Sequence, residues 1–143
     1  FTKQLYTNKI MLHTNYDINK IENELKTVVK NAGLSLNVYT GDRPSIVDNT
    51  LNELVVVSVV STLSDMMAYG RCICAIDMFS KDLSNGCKNG VKLSIMTQKA
   101  VSMLPINSVN YVFSNEANVI PLGSDGYGYH VERIQFTTFI KTT

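Results

Sequence analysis

The chain has 143 residues, of which 45% are apolar and 17% are charged. Domains usually contain about 100 to 200 residues, so this length predicts one domain with one core. The net charge of +1 provides no general field that would attract nucleic acid or a membrane surface. The longest apolar run, Leu54 to Val60, is far shorter than the ~20 residues that span a bilayer. We therefore expect no membrane partner and no sequence-specific binding of nucleic acid.

The three cysteines predict neither a disulfide nor a metal site. Cys72 and Cys74 occupy alternate positions of a predicted strand and point to one face, too close together for an ordinary bridge. We expect these two and Cys87 to be reduced. Together with His13 and His130, the cysteines match no zinc-binding spacing. The sequence therefore indicates no metal and no cofactor.

The N-terminal part predicts an arm followed by a helix. Residues 1–14 have no sustained hydrophobic period, which favours an extended arm ahead of a domain at residues 15–143. Apolar residues then recur at helical spacing over Ile18 to Ala32. Asp17 or Asn15 can cap the start of this helix, and Gly33 suits its left-handed end.

The middle of the chain predicts three strands. Leu36 to Thr40 is a short strand that ends at a turn, and Leu54 to Thr62 and Arg71 to Phe79 are apolar enough for buried central strands of one hairpin. Leu63 to Gly70 would form its tip. This tip holds Met66, Met67 and Tyr69 where a loop is normally polar, so we expect it to contact a partner.

The C-terminal part predicts a second helix and a closing hairpin. Leu93, Met96, Ala100, Met103 and Leu104 share one face of a helix over Val91 to Leu104, and Pro105 ends it. Strands at Tyr111 to Val119 and Tyr129 to Ile140 follow, joined by a turn-rich linker at Pro121 to Gly128.

These elements predict an α+β domain whose mainly antiparallel sheet of about five strands carries two helices. Parallel neighbours would need more helical crossovers than two helices supply. The apolar face of the first helix, with Ile21, Leu25 and Val28, should pack on the sheet together with Ile134 and Phe136 of the last strand.

No set of residues forms a recognisable reaction centre. The glycines around Tyr127 lack the following helix that a phosphate-binding loop requires, and a tight hairpin explains them better. A cysteine with His130 and Asp77 or Glu132 could be nominated for nucleophilic catalysis, but no family signature surrounds any of them. The chain is therefore not expected to be an enzyme, and we predict no catalytic residues.

The order of elements resembles the tail-terminator and tail-completion proteins of tailed bacteriophages, which act as head-tail connectors. The match covers nearly the whole chain and concerns order and length; Met66 to Tyr69 and the Gly-Tyr-Gly-Tyr segment at Gly126 agree with it. The first 14 residues are longer than the compact family core needs, and the family's lumen is often more charged than Arg43, Arg71 and Arg133 suggest.

The resemblance implies a structural virion protein that forms a six-fold or twelve-fold ring at the head-tail junction, ends tail assembly and joins tail to head. Its partners would be further copies of itself and the neighbouring neck and tail proteins. It would be found in the phage tail or neck, and in the host cytoplasm during assembly. The residues expected at subunit or partner interfaces are Met66, Met67, Tyr69, Arg43, Tyr127 and Tyr129.

Two other functions remain open at this point. One is a small-molecule-binding or enzymatic α+β domain, with a cleft near His130 and Tyr129 between the closing hairpin and the second helix. The other is an accessory module whose methionine-rich tip docks a peptide or another subunit, because flexible thioethers adapt to irregular surfaces.

Overall fold

The computed structural model describes residues 14–44, 50–66 and 69–141. These residues form two helices, α1 (Ile18–Asn31) and α2 (Gly90–Met103). They also form seven strands: β1 (Val38–Thr40), β2 (Glu53–Val59), β3 (Ser64–Met66), β4 (Tyr69–Lys81), β5 (Ile106–Asn107), β6 (Tyr111–Ser124) and β7 (Tyr129–Ile140).

All seven strands belong to one sheet. Six follow the order β1-β2-β4-β7-β6-β5, and β3 pairs with β4 off this path. The pair β1 and β2 is parallel, and the other pairs are antiparallel. The predicted α+β class with a mainly antiparallel sheet and two helices is therefore confirmed. The strand number exceeds the predicted five because β3 and β5, at three and two residues, are too short to show a period.

Helix α1 begins where the sequence places a cap. The Asp17 carboxylate accepts hydrogen bonds from the backbone N–H groups of Asn19 at 2.9 Å and Lys20 at 3.2 Å, which satisfies donors that a helix start leaves unpaired. The helix packs on β1 and β2. Ile21 and Leu25 are buried in one cluster with Ile134 and Phe136, and half-buried Val28 packs against that cluster. The predicted packing of this helix face in one core with Ile134 and Phe136 is confirmed.

Helix α2 covers the other half of the same sheet face. It contacts β4, β7 and β6, and its buried residues are Leu93, Met96 and Ala100. Met96 and Ala100 belong to the same core cluster as Ile21 and Leu25 of α1. Both helices therefore lie on one face of the sheet, and the main core lies between them and the strands.

The opposite face carries a second, smaller cluster. Leu54 and Val56 of β2, Phe79 of β4, and Tyr129 and Val131 of β7 are buried together, with Tyr39 of β1 packed beside them. Neither described helix covers this face. Strand β2 is thus buried on both sides, as its continuous apolar run predicts.

The closing hairpin is longer than predicted. Strand β6 continues to Ser124, with register shifts against β7 at residues 113–117 and 121–123. Pro121 fits within it because the described strands leave the outer side of β6 open there and a register shift follows it, and prolines in sheets are confined to edge strands and bulges. The turn is confined to residues 125–128, where Gly126 and Gly128 adopt positive φ.

Neither of the two described helices is suited to cross a membrane. Each has 14 residues, and neither combines the length and apolar character that crossing a bilayer requires.

Candidate functional site

The most distinctive side-chain cluster surrounds Arg43, just after β1. Its guanidinium carbon lies 4.9 Å from the centre of the Tyr127 ring and 5.7 Å from the centres of the Phe79 and Tyr129 rings. These distances are within the range at which a cation is attracted by an aromatic face. Arg43 therefore covers the second apolar cluster while its charge is balanced by neighbouring groups.

Asp125 supplies the balancing negative charge. Its carboxylate pairs with the Arg43 guanidinium and also accepts hydrogen bonds from the backbone N–H groups of Tyr127 at 2.7 Å and Tyr129 at 3.2 Å. The Arg43 and Asp125 side chains are only 18% and 8% exposed. The pair thus ties the β6–β7 turn to the segment after β1. We name the whole cluster the Arg43 tether; it comprises Arg43, Phe79, Asp125, Tyr127 and Tyr129.

Arg43, Tyr127 and Tyr129, which were predicted at an interface, meet in this tether, but only the Tyr127 side chain faces outward. Tyr129 is 1% exposed, and its hydroxyl donates to the carbonyl of Leu51 at 2.7 Å. Tyr127 is 73% exposed. Arg43 is largely enclosed by Asp125 and the rings. Within one chain the tether holds structure together, and Tyr127 is the member that remains accessible to another molecule.

The predicted methionine-rich tip is a hairpin rather than a free loop. Strands β3 and β4 pair there, with Met66 opposite Tyr69. Met67 lies outside the described residues, as do the side chains of Met66 and Tyr69 and the predicted arm at residues 1–14 except for Thr14. The contact expected at this tip therefore stays a prediction.

Asp77, which sequence analysis considered for catalysis, is engaged in an ion pair. Arg133 Nε and Nη2 donate to its two carboxylate oxygens at 2.7 and 3.0 Å, across the β4–β7 ladder. The hydrogen bond to Asp77 raises the pKa of Arg133 above its usual value. This two-pronged geometry fixes both side chains and leaves the Asp77 carboxylate oxygens occupied.

His130 also has a carboxylate neighbour. Its Nδ1 lies 2.5 Å from Asp82 Oδ1, just beyond the end of β4. The neighbouring Tyr129 ring points into the second cluster, on the other side of the sheet from α2. His130 and Tyr129 therefore do not line one common cleft with that helix.

Cys72 and Cys74 are a close buried pair, and Cys87 is exposed. The two buried Sγ atoms are 4.0 Å apart without a bond between them. Hydrogen bonding to Cys74 lowers the pKa of Cys72, and the same bond together with burial raises that of Cys74. The cysteines are free, as predicted. Throughout the described ranges, no three or more His, Cys, Asp or Glu side chains gather in a way that could hold a metal ion.

Sequence analysis missed the outer face of α2. Val91 is 75% exposed and Ile95, one turn later, is 59% exposed; Val101, farther along the helix, is also exposed. The helix turns between them hold uncharged Ser94, Gln98 and Ser102. The helical period that identifies the buried side could have found this apolar outer side, because the two sets are complementary positions of one helix.

The outer edge of β6 is a second surface with exposed apolar residues. Within the part of the chain that the structure describes, only β5 pairs with that edge, at Val112 and Phe113. Beyond Phe113 the strand runs on to Ser124 with Val119 and Leu122 exposed. An unpaired edge with exposed apolar residues is a template for pairing with another strand.

Comparison with known proteins adds information on the fold. No protein-family model matches the chain, and no curated protein matches it. A solved structure whose name states no function is similar over 94% of this chain and 96% of its own, with a TM-score of 0.51 and 12% sequence identity. At this identity the likeness concerns the fold alone.

Proposed function

We propose that this protein is a structural virion protein that forms a ring at the head-tail junction of a tailed bacteriophage, where it ends tail assembly and joins tail to head. The order of its elements resembles that of tail-terminator and tail-completion proteins. In this proposal the neighbours are further copies of the chain, in a six-fold or twelve-fold ring, and the adjoining neck and tail proteins.

The observation that carries the proposal is a pair of exposed apolar surfaces, one on α2 and one on β6. The outer face of α2 exposes Val91, Ile95 and Val101, and the outer edge of β6 exposes Val119 and Leu122. The first surface lies on a helix that covers the sheet and the second lies at an edge of the sheet, so the two face in different directions. Contiguous exposed apolar surface on a domain usually marks a contact site.

Two different surfaces suit a ring better than a simple dimer. A closed ring needs head-to-tail contacts, in which one surface of a subunit meets a different surface of the next. A helix face and a strand edge are different in kind, and each could engage a distinct part of a neighbour. The low share of charged residues, 17%, is consistent with a subunit that covers part of its surface on assembly.

The test measures assembly directly. Molar mass by light scattering, together with negative-stain images, should give a ring of six or more copies for the unaltered protein. The double variant Val91→Asp/Ile95→Asp should remain folded and lose the ring, because two carboxylates would be placed in the contact. Val109→Asp is the matched control, since this valine is 84% exposed but lies on the turn before β6.

A strictly monomeric unaltered protein at the concentrations used for imaging would contradict the proposal. Rings that form equally well from the double variant and the Val109→Asp control would remove the outer face of α2 from the contact. Replacing Met66 and Met67 by Asp tests the predicted tip separately, and deleting residues 1–12 tests the predicted arm.

A further inference from the structure

A small polar pocket lies where β4 ends and α2 begins. Its volume is about 240 Å³, and its lining comprises Asn52, Ser80, Lys81, Asp82, Asn89 and Lys92. These residues come from the segment before β2, the end of β4, the cap of α2 and its first turn. The ring contacts proposed above use none of them.

Ser80 is the first sign that the pocket holds a ligand. This residue is 1% exposed, and its hydroxyl oxygen has no hydrogen-bond partner among the described residues. Buried hydroxyl groups almost always have a partner because leaving one unpaired is costly. Ser80 lines the pocket, so a molecule bound there could complete its hydrogen bonding.

The start of α2 is the second sign. The Asn89 side chain accepts from the N–H of Lys92 at 3.1 Å, and the first intrahelical bond is donated by Leu93 to the Asn89 carbonyl. The N–H groups of Gly90 and Val91 precede that bond. A helix N-terminus carries a partial positive charge, yet the first turn of α2 contains no acidic residue and does contain Lys92.

The charged groups around the pocket also favour an anion. Two lysines, Lys81 and Lys92, line it against one acidic lining residue, Asp82, whose carboxylate contacts His130 Nδ1. Glu53 competes for Lys92, since their charged atoms are 3.3 Å apart, but this pair is partly exposed to solvent. Solvent weakens such a pair, so an enclosed anion could replace Glu53 as the partner of Lys92.

We propose that this pocket binds a phosphate group. The donors would be the Ser80 hydroxyl and the Lys92 ammonium group, which both belong to the pocket lining. The start of α2, where Asn89 lines the pocket, would add the partial positive charge that favours anions at a helix N-terminus. The pocket can enclose one phosphate group, whether as the free ion or as part of a nucleic acid backbone.

The test is a titration of the full-length protein with inorganic phosphate, at ionic strength held constant with chloride, followed through the amide NMR signals of Gly90, Val91 and Lys92. We expect saturable shifts. Lys92→Gln should weaken binding about tenfold and Ser80→Ala about fivefold, the effects of losing a charged and a neutral hydrogen bond. Glu53→Gln should strengthen binding, because it frees Lys92.

Lys99→Gln is the matched control, because Lys99 is an exposed lysine on the same helix whose ammonium group donates to the carbonyl of Gly33. It should bind phosphate as the unaltered protein does. A second titration uses a short single-stranded DNA at equal phosphate concentration. A Lys92-dependent response to the DNA would identify a nucleic acid phosphate as the ligand, and a response to inorganic phosphate alone would identify the free ion.

Absence of saturable shifts with both probes would overturn the proposal. Equal weakening by Lys92→Gln and Lys99→Gln would also overturn it, since the response would then reflect general charge. Lys92 is partly exposed, so its substitution should leave the fold intact, and the result does not depend on how Ser80→Ala folds.

Discussion

Gly70 in β4 makes room for the ring of Tyr16, which precedes α1. A Cβ atom built on Gly70 would lie 1.7 Å from the Tyr16 hydroxyl oxygen and 2.2 Å from the ring carbon that bears it. The ring is rigid, so this overlap can be relieved only by moving Tyr16 or the strand. A glycine is therefore required here for packing, independent of its φ angle.

We accordingly expect Gly70→Ala to lower the free energy of unfolding by about 1 to 3 kcal/mol, the usual cost of overpacking. Urea denaturation measures the change. Gly90→Ala is the control, since the nearest atom to a Cβ there is 3.9 Å away and alanine favours a helix start over glycine. Equal stability of the two variants would show that Tyr16 moves without cost.

Tyr111 predicts how stability depends on alkaline pH. Burial, and then the negative charge of Glu24, raise the pKa of this tyrosine above its ordinary value of about 10. The folded state therefore holds the phenolic proton more tightly than the unfolded state. The resulting stability is fully present below about pH 10 and is lost as the pH rises toward the folded-state pKa.

At about pH 11 this group alone should cost the protein about 1.4 kcal/mol relative to its stability below pH 10. Urea denaturation at both pH values measures the loss. Tyr111→Phe should start about 1 kcal/mol less stable, because it removes the hydrogen bond to the Asn15 carbonyl, and should lose less on going to high pH. Identical losses in both proteins would exclude Tyr111 as the cause.

At the scale of elements, the Arg43 tether connects the segment after β1 to the β6–β7 turn. Its stabilising contacts join residues far apart in the chain, and Asp125 also organises the turn through backbone N–H groups. Because the Arg43 and Asp125 side chains are mostly buried, removing one would leave the other charge without its partner.

Asp125→Ala should therefore lower the free energy of unfolding by about 3 kcal/mol or more. Arg43→Lys should cost less, since it keeps the charge but loses the flat guanidinium that stacks on the Tyr127 ring. Thermal and urea denaturation measure both. Arg71→Lys is the control, because Arg71 is an exposed residue of β4, and it should change the free energy of unfolding little. Equal losses of stability in Arg43→Lys and Arg71→Lys would argue against the tether.

Local sequence signals predicted the elements that carry their own boundaries. Helix α1 was expected over residues 18–32 and spans 18–31, because Asp17 caps it and Gly33 follows it. Strand β1 was expected from Leu36 and begins at Val38; Leu36 is 91% exposed and has no strand partner among the described residues. The end of β6 depends on pairing with β7 through Pro121, which no local pattern reveals.

The candidate sites were predicted only in part. Tyr127 and Arg43 were selected as contact residues, but their meeting with Asp125 depends on tertiary structure that brings residues 43 and 125 together. From the sequence alone, Ser80 is an ordinary polar residue that follows the predicted strand Arg71 to Phe79. Its unpaired hydroxyl can be recognised only when all the neighbouring donors and acceptors have known positions.

At the scale of the whole molecule, the two faces of the sheet are built differently. Both helices lie over the main core, and on the other face the Arg43 tether covers only the end near Phe79. The outer edge of β6 beyond Phe113 has no strand partner among the described residues. In the proposed ring, this asymmetry would offer different surfaces to different neighbours.

Hydrogen exchange can follow this asymmetry. In the separate subunit we expect the slowest exchange in β4 and β7, which are paired on both sides, and fast exchange at outward-facing amides of β6 beyond Phe113. If the ring contact uses the edge of β6, these amides should become protected on assembly. Unchanged exchange in an assembled ring would place the contact elsewhere, with α2 as the remaining candidate.

The central ladder between β4 and β7 also bears on how fast the chain folds. Twelve residue pairs join these strands, and α2, β5 and β6 all lie between them in the chain. The chain must close this long segment before the ladder contributes, and domains with many such distant pairings fold over roughly milliseconds to seconds. During that interval the apolar strands are exposed. When many copies are made together, aggregation of these strands would therefore compete with folding.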